Sequence, residues 1–453
     1  MADLQSKLSE LATENKVPGV SVGVVQDGAE EYAFHGVTSV ENPLPVDETT
    51  LFQFGSTGKT YTATAIMRLV EQGKVALDAK VKSYVPELRL KDKDAENNVT
   101  VLQLLNHTAG WSGDLLTNTG DGDDALAKYV ELLADVDQVT PLGTACSYNN
   151  ASLSLAGRVI EKVTGTTFEQ AMKDLLFVPL GLDNTFFFPN DVMTRRFAVG
   201  HELKDDVAKV ARPWALPRGG NPAGGMSANA ADQVAWARFH LGDGKNRNGE
   251  PVLSKELLDQ MKVPTFEGGG AIGDAIGISW WLTTIDGVTL FSHGGTTNGQ
   301  HSAFFFIPEH NFGFASMTNC GPNGPVVNSL LQKWVLEERF GLVAKDEEPI
   351  KLDDATLAEY VGTYSTIAVS CIVTASEGGL LVKTAIDPEV WKQISDDEAP
   401  DEPPFRIGML EGDGDRYIVP EGDAKGMKGH FTRDASGKIN GLHLGGRLAN
   451  KID

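Results

Sequence analysis

The tetrad Ser56-Thr57-Gly58-Lys59 is the first place in this chain where side chains are spaced for chemistry. At the start of a helix, positions three apart share a face, so the lysine amine can approach the serine hydroxyl. The helix N-terminus adds unpaired N–H groups and positive potential where an oxyanion would develop. Tyr61, Ala63, Ile66 and Met67 would strip water from the amine and lower its pKa toward that of a proton acceptor. Alone, S-x-x-K arises by chance in many chains, as a capping serine beside a solvated lysine. Two other patterns fail on context. Gly19-Val20-Ser21-Val22-Gly23 matches G-x-S-x-G, but its serine lies in an alternating apolar run and not at a strand-to-helix turn. Gly58-Lys59-Thr60 opens a helix, yet the phosphate-loop glycine required five positions earlier is Gln53.

Two further features give the tetrad company. Tyr148-Asn149-Asn150 is a Y-x-N between helical segments, and Ser292-His293-Gly294-Gly295-Thr296 follows a strand late in the chain. In this order the three resemble the serine β-lactamase and penicillin-binding-protein superfamily, above all the branch of class C β-lactamases, D-aminopeptidases and related esterases. Leu104–Gly110 (LLNHTAG), Leu180–Asp183 (LGLD) and Pro222–Met226 (PAGGM) with Asp232 add to the likeness, which covers roughly residues 5–340.

The resemblance implies roles residue by residue. Ser56 is the nucleophile that forms an acyl-enzyme. Lys59 and Tyr148 share its activation, with the resting proton on either, and Tyr148 protonates the leaving group and later activates water. Asn150 donates to the substrate or to Lys59. The N–H groups of Ser56 and Thr296 form the oxyanion hole, and Gly294 and Gly295 let a substrate lie along the strand. His293 stands where penicillin-targeted relatives carry the lysine of K-T-G. A histidine with an ordinary pKa of ~6.5 is largely neutral at pH 7, so a substrate carboxylate is less well served.

The implied activity is a serine hydrolase cleaving amide or peptide bonds of small substrates, of D-aminopeptidase or peptidase type. A carboxylesterase is the first alternative and a β-lactamase the second. A non-catalytic binding protein on the same scaffold is the rival of another class, disfavoured because Ser56, Lys59, Tyr148 and Asn150 are all present. No cofactor and no metal are expected, since the histidines show no ligand spacing with one another or with cysteine. His107 reads as a structural hydrogen-bonding residue. Cys146 reads as a buried small residue. Trp111, Trp214, Trp280 and Trp281 are core or rim residues, able to line a pocket.

These residues need elements to hold them. A short amphipathic helix on Leu4, Leu8 and Leu11 leads to the strand run Val20, Val22, Val24, an Asp27-Gly28 hairpin and a return strand to Val37. A long helix runs from Ser56 to about Gln72, stopped by Gly73. The middle is mostly helical, with Thr166 and Glu169 as a capping box ahead of Phe168–Leu176. Segments 288–292, 302–307 and 312–318 read as strands, and Pro325 opens a helix through Arg339. Strands at both ends with helices between give an α+β fold: an antiparallel sheet flanked by helices, with a helical subdomain. We divide the chain into a hydrolase domain at 1–342, a linker at 343–350 and a small all-β, barrel-like domain at 351–453. Its strands are placed at Ala368–Thr374, Leu380–Thr384, Tyr417–Pro420 and Gly441–Leu448, with Ser395–Pro404 as an exposed acidic loop.

Of 453 residues, 62 are acidic and 39 basic, a formal charge of −23. Such a field disfavours nucleic acid and anionic membranes as partners. No apolar run reaches the ~18 residues of a membrane span, and the polar start lacks the pattern of a signal peptide, so a cytoplasmic protein is expected. Residues 343–453 hold 12 basic against 21 acidic side chains. If that unit overhangs the cleft, its acidity disfavours anionic substrates and attracts amines. It is expected to cap the cleft or to supply a homo-oligomer contact; the remaining partner is a small-molecule or short-peptide substrate.

Overall fold

The computed structural model describes residues 3–453 apart from 269, 346, 393–397, 400, 402, 413 and 423. Half of the acidic loop expected at Ser395–Pro404 therefore lies outside the described residues. Helix α1 (Leu4–Glu14) is capped by the Asp3 side chain and leads into β1 (Gly19–Gln26) and β2 (Ala29–Gly36). Later in the chain come β3 (Phe266–Glu267), β4 (Ala275–Ile276), β5 (Trp281–Ile285), β6 (Val288–Thr296), β7 (His301–Ile307) and β8 (Phe312–Thr318). They join in one antiparallel sheet of order β2-β1-β8-β7-β6-β5-β4-β3, so strands from both ends of the region meet at the β1–β8 pairing. β1 is buried along nearly its whole length, which is why it reads as a continuous apolar run, GVSVGVV. Ser21 is a buried residue of that strand, as its context required.

Helix α2 (Gly58–Glu71) follows a short 3₁₀ turn, Gly55–Thr57, and is buried on nearly every side. α3 (Asn150–Thr164) packs against it, and α4 (Ala230–Leu241) covers one face of the sheet across β1 and β8. α5 (Asn323–Phe340) covers the other face, sinking Val327, Leu331 and Val335 against Phe305 and Phe314. Each such side chain contributes about 1.5–3 kcal/mol relative to exposure. No helix among the described residues is long and apolar enough to cross a membrane.

Two local expectations change. The cap ahead of Phe168 is Thr167, whose hydroxyl accepts from the Gln170 N–H; Thr166 instead bonds Thr164, so the box on Thr166 and Glu169 does not form. The helix after it is broken by a π turn at Lys173–Phe177. The helical middle also holds a hairpin, His201–Lys204 with Val207–Val210.

The C-terminal unit is a closed antiparallel barrel of eight strands: β9 (Gly362–Ser365), β10 (Val369–Ser376), β11 (Gly379–Ile386), β12 (Phe405–Met409), β13 (Arg416–Ile418), β14 (Lys428–Arg433), β15 (Ile439–Leu444) and β16 (Arg447–Lys451). β9 closes on β16 through Tyr364 and Lys451. Tyr364, Val373, Val382, Tyr417, Phe431 and Leu442 fill the interior. The run Gly441–Leu448, expected as one strand, is two. Gly445 and Gly446 take positive φ values of 56° and 84° and turn the chain back on itself between β15 and β16.

Candidate active site

Ser56 sits in the 3₁₀ turn that feeds α2, with no side chain capping that helix. The Thr57 hydroxyl is engaged elsewhere, 3.2 Å from the His293 carbonyl and 3.0 Å from Ser302 Oγ, while Ser302 donates to the Phe54 carbonyl at 2.7 Å. These bonds pin the turn to β6 and β7. Contact is so close that a Cβ on Gly295 would fall 1.9 Å from the Phe54 carbonyl and 2.8 Å from the Ser56 amide nitrogen, so only glycine fits. A Cβ on Gly55 would fall 2.7 Å from the Thr296 nitrogen. The backbones bearing the Ser56 and Thr296 N–H groups are thus side by side.

Lys59 is the second residue of α2, one turn after Ser56, and is fully buried. Its Nζ donates to Ser56 Oγ at 3.0 Å and to the Ala223 carbonyl at 2.6 Å, and stands 4.8 Å from the centre of the Tyr148 ring. Burial, and next the Arg447 charge, hold the amine well below its ordinary range against the opposing pull of Asp114. Tyr148 and Ser56 line the same cavity. Burial raises the Tyr148 phenol, with Ser56 and Arg447 opposing.

The segment around Tyr148 is held from two sides. His107 Nδ1 accepts the Asn149 N–H at 3.1 Å and its ring lies 4.5 Å from that of Tyr148, which bears out a structural role. Asn149 caps α3 and also donates to the Trp111 carbonyl. Cys146 is buried, and burial pushes its thiol up to about 12, which suits an inert residue.

His293 is 1% exposed, with its ring centre 4.2 Å from that of Trp281 and 6.2 Å from that of Tyr148. Its Nδ1 is 2.6 Å from the Gly294 carbonyl, which can only accept, so the hydrogen is on Nδ1. Burial, then Lys59, carries its pKa down to about 3. His293 is therefore neutral at pH 7. Of the tryptophans singled out in the sequence, Trp111 and Trp280 are core, whereas Trp281 lines the cleft.

Asn150 is placed differently from its expected role: its Nδ2 donates to Asp114 Oδ1 at 2.8 Å. Asp114 in turn is clasped by Arg447, through Nε at 2.5 Å and Nη2 at 3.1 Å. Burial pushes the Asp114 carboxyl up, but Arg447 and Asn150 together outweigh it and hold the group low. Arg447 is the first residue of β16 in the barrel. Its guanidinium lies 4.9 Å from the Tyr148 ring centre. The turn before it delivers the Gly446 carbonyl to the Tyr148 N–H at 2.8 Å, the Leu448 N–H to Ser147 Oγ at 3.1 Å, and His443 Nε2 to the Cys146 carbonyl at 3.1 Å. Asp114 and Arg447 were missed in the sequence. The available signal was Gly445-Gly446, a hairpin dipeptide inside a run taken for one strand.

Together these groups border a cavity of about 640 Å³ that opens on Ser56, Tyr148, Trp281, Gly294, Thr296 and Arg447. A buried amine on a serine hydroxyl, a phenol on its other side and two adjacent N–H groups can form and stabilise a tetrahedral adduct at a carbonyl.

The Beta-lactamase family profile matches residues 4–335. The chain belongs to the Beta-lactamase family. It is 35% identical over 374 residues to Penicillin-binding protein 4 of Amycolatopsis lactamdurans, covering 80% of this chain and 97% of that protein. Among solved structures, that of SurE with D-Leu superposes with a TM-score of 0.76 at 24% identity, covering 99% of this chain and 98% of that one. The octameric penicillin-binding-protein homologue of Pyrococcus abyssi does so at 0.65 and 21%, covering 99% of each chain. These two share both the hydrolase fold and the barrel with this chain. It is therefore a serine hydrolase of the β-lactamase and penicillin-binding-protein type.

Proposed function

We propose that Ser56 is acylated by an amide or peptide carbonyl of a small substrate and that water then releases the acyl group. The observation that carries this reading is the fully buried Lys59 amine at 3.0 Å from Ser56 Oγ. Its depressed pKa makes the neutral amine available as the base, while the raised phenol of Tyr148 stays protonated and is the group to hand a proton to the leaving nitrogen. The carbonyl oxygen would be received by the N–H groups of Ser56 and Thr296, with Gly294 and Gly295 giving the substrate room along β6. Asn150 acts through Asp114, holding the carboxylate that orients Arg447.

The barrel supplies a cation to the site. Its net acidity suggested repulsion of anionic substrates, yet the side chain it places at the nucleophile is Arg447, still partly exposed in the cleft. The guanidinium stands in for the missing K-T-G lysine, so a substrate carboxylate is compatible with this site. The same feature, with the name of the Amycolatopsis relative, favours a second reading: β-lactams acylate Ser56, slowly or as turned-over substrates. Esters remain alternative substrates of the same machinery. A barrel-mediated contact between copies is part of this reading, tested by the mass in solution of the whole protein.

The decisive experiment labels the protein with a fluorophosphonate and compares Ser56→Ala. One labelled site in the wild type and none in the variant is expected; equal labelling of both sinks the mechanism. A panel of p-nitrophenyl esters, D- and L-amino-acid anilides, short peptides and a chromogenic cephalosporin then ranks the substrate classes.

A further inference from the structure

The cleft does not end at the nucleophile. The cavity that opens on Ser56 continues along α5, where Pro325, Asn328, Ser329, Gln332, Lys333 and Leu336 line it. They recur at helical spacing on one face, and at 1.5 Å per residue the wall is about 17 Å long. The opposite side is Gly294 of β6 and Ala303 of β7, which pair with each other. Its direction is fixed at both ends. A Cβ on Gly324 would stand 3.0 Å from His301 Cδ2, and His301 pairs with Thr296, so the N-terminal end of α5 is beside the nucleophile. At the far end are Ile285 and Leu342–Ala344, where the Val343 N–H reaches Asp286 at 3.3 Å. The acylation chemistry uses the near end alone.

The helical wall is rich in unused donors. Asn328 is 3% exposed; its Oδ1 accepts from Ser316, but its Nδ2 is buried without a partner. Lys333 is exposed and forms no ion pair among the described residues, even with Glu337 one turn on in the same wall. The other charges at the far end, Lys345 and Asp286, face each other at 4.0 Å. An extended peptide advances ~3.3 Å per residue and presents carbonyls along its length, so about five residues would span the wall.

We propose that this arm is a remote substrate subsite. It seats an extended peptide-like chain of about four or five residues, and Lys333, about 12 Å along α5 from Pro325, reads an acidic group on that chain. The proposal rests on Ser56 being the acylated nucleophile. Because Lys333 is exposed, its selectivity is expected to be about three- to ten-fold and to weaken with salt.

The test uses two ladders of fluorogenic peptides, of about one to five residues, extended on the acyl side or on the amine side of the scissile bond. Each longest member is made with Glu, with Gln, or with Gln and an amidated or acylated terminus at the distal position. In one ladder, kcat/KM is expected to rise about ten-fold or more with length. The Glu form should exceed the Gln form in low salt and lose that lead near 0.5 M salt. A terminal carboxylate, if that is the group read, shows as a loss on amidation. Lys333→Glu should invert the Glu-to-Gln ratio, and because the ratio is taken on one preparation, any loss of active fraction cancels. Fluorescent pentapeptides binding to Ser56→Ala give the same ratio without turnover. Flat ladders in both directions, or a ratio unmoved by Lys333→Glu in both assays, overturn the subsite. If fluorophosphonate leaves Ser56 unlabelled, the acyl-enzyme reading fails instead, and the binding ratio still decides the subsite.

Discussion

The two walls of the cleft are built on different principles. The hydrolase wall places Ser56, Lys59 and His293 on buried elements, where Thr57, Ser302 and Gly295 lock the 3₁₀ turn onto β6. The barrel wall is one hairpin, reaching Tyr148 through a carbonyl and a guanidinium and anchored by the Arg447–Asp114 pair. A preorganised base and oxyanion site need no reorganisation during reaction, so they belong on rigid packing. The Arg447 charge at the cleft comes from a separate unit, on a short turn outside the packing that holds Lys59. The chemistry and the charge selection can then be broken separately.

The largest effects belong to the first wall. Ser56→Ala is expected to abolish acylation, and Lys59→Ala and Tyr148→Phe to lower its rate by about 10²–10⁴-fold, read by stopped-flow acylation with an activated ester. Unchanged rates in either of the latter variants would remove that residue from its role.

Arg447→Gln tests the second wall. We expect about a ten-fold loss of kcat/KM for carboxylate-bearing substrates and a smaller loss for esters. The pH profile is the sharper reading. Arg447 depresses the Lys59 amine, and in the proposed mechanism the neutral amine is the base, so the rate should fall as acid protonates it. Without the guanidinium that amine regains basicity, and the acidic limb of kcat/KM shifts to higher pH. A limb that stays in place would show that the barrel cation does not act on the base.

The two walls were not equally legible in the sequence. Ser56, Lys59, Tyr148 and His293 stand in motifs only a few residues long, and the sheet and α2 are announced by local periodicity. Asp114 sits in a loop without a pattern, 333 positions from its partner Arg447, and nothing local connects them. The Gly445-Gly446 turn was visible as a dipeptide, but aliphatic neighbours on both sides, Leu442, Leu444 and Leu448, made one strand as natural as two. The Asp114 partner of Asn150 could not be read, because an amide near charged groups takes whichever carboxylate the tertiary structure brings. The acidity of the C-terminal unit did not foretell Arg447 for the same reason: a net charge says nothing of which side chain the fold turns inward.

A stability measurement sharpens the comparison next. Asp114→Ala leaves the half-buried Arg447 guanidinium without its anion, and is expected to cost about 1–3 kcal/mol. The double variant Asp114→Ala/Arg447→Ala should cost less than the sum of the singles, as urea midpoints would report. Strict additivity would mean the pair does not hold the hairpin to the hydrolase unit.

The smallest effect lies at the same seam. His443 is buried, stacks on His430 at 4.7 Å and donates from Nε2 to the Cys146 carbonyl, so it sits neutral between barrel and Tyr148 segment. Burial, then His430, carries its pKa down to about 3 against the opposing pull of the Cys146 bond. The folded state therefore binds its proton far less readily than the unfolded chain, whose histidine titrates near 6.5. Stability is unaffected above that value and falls as pH drops from about 6.5 toward 3, because only unfolding lets the ring take its proton. His443→Gln removes the titration while keeping a side-chain donor. Relative to its own value at pH 8, the variant should lose about 1 kcal/mol less than wild type by pH 5.5. Equal losses in urea titrations at the two pH values would mean that the ring already exchanges with solvent, and that the barrel rests on the catalytic segment more loosely than its hydrogen bonds indicate.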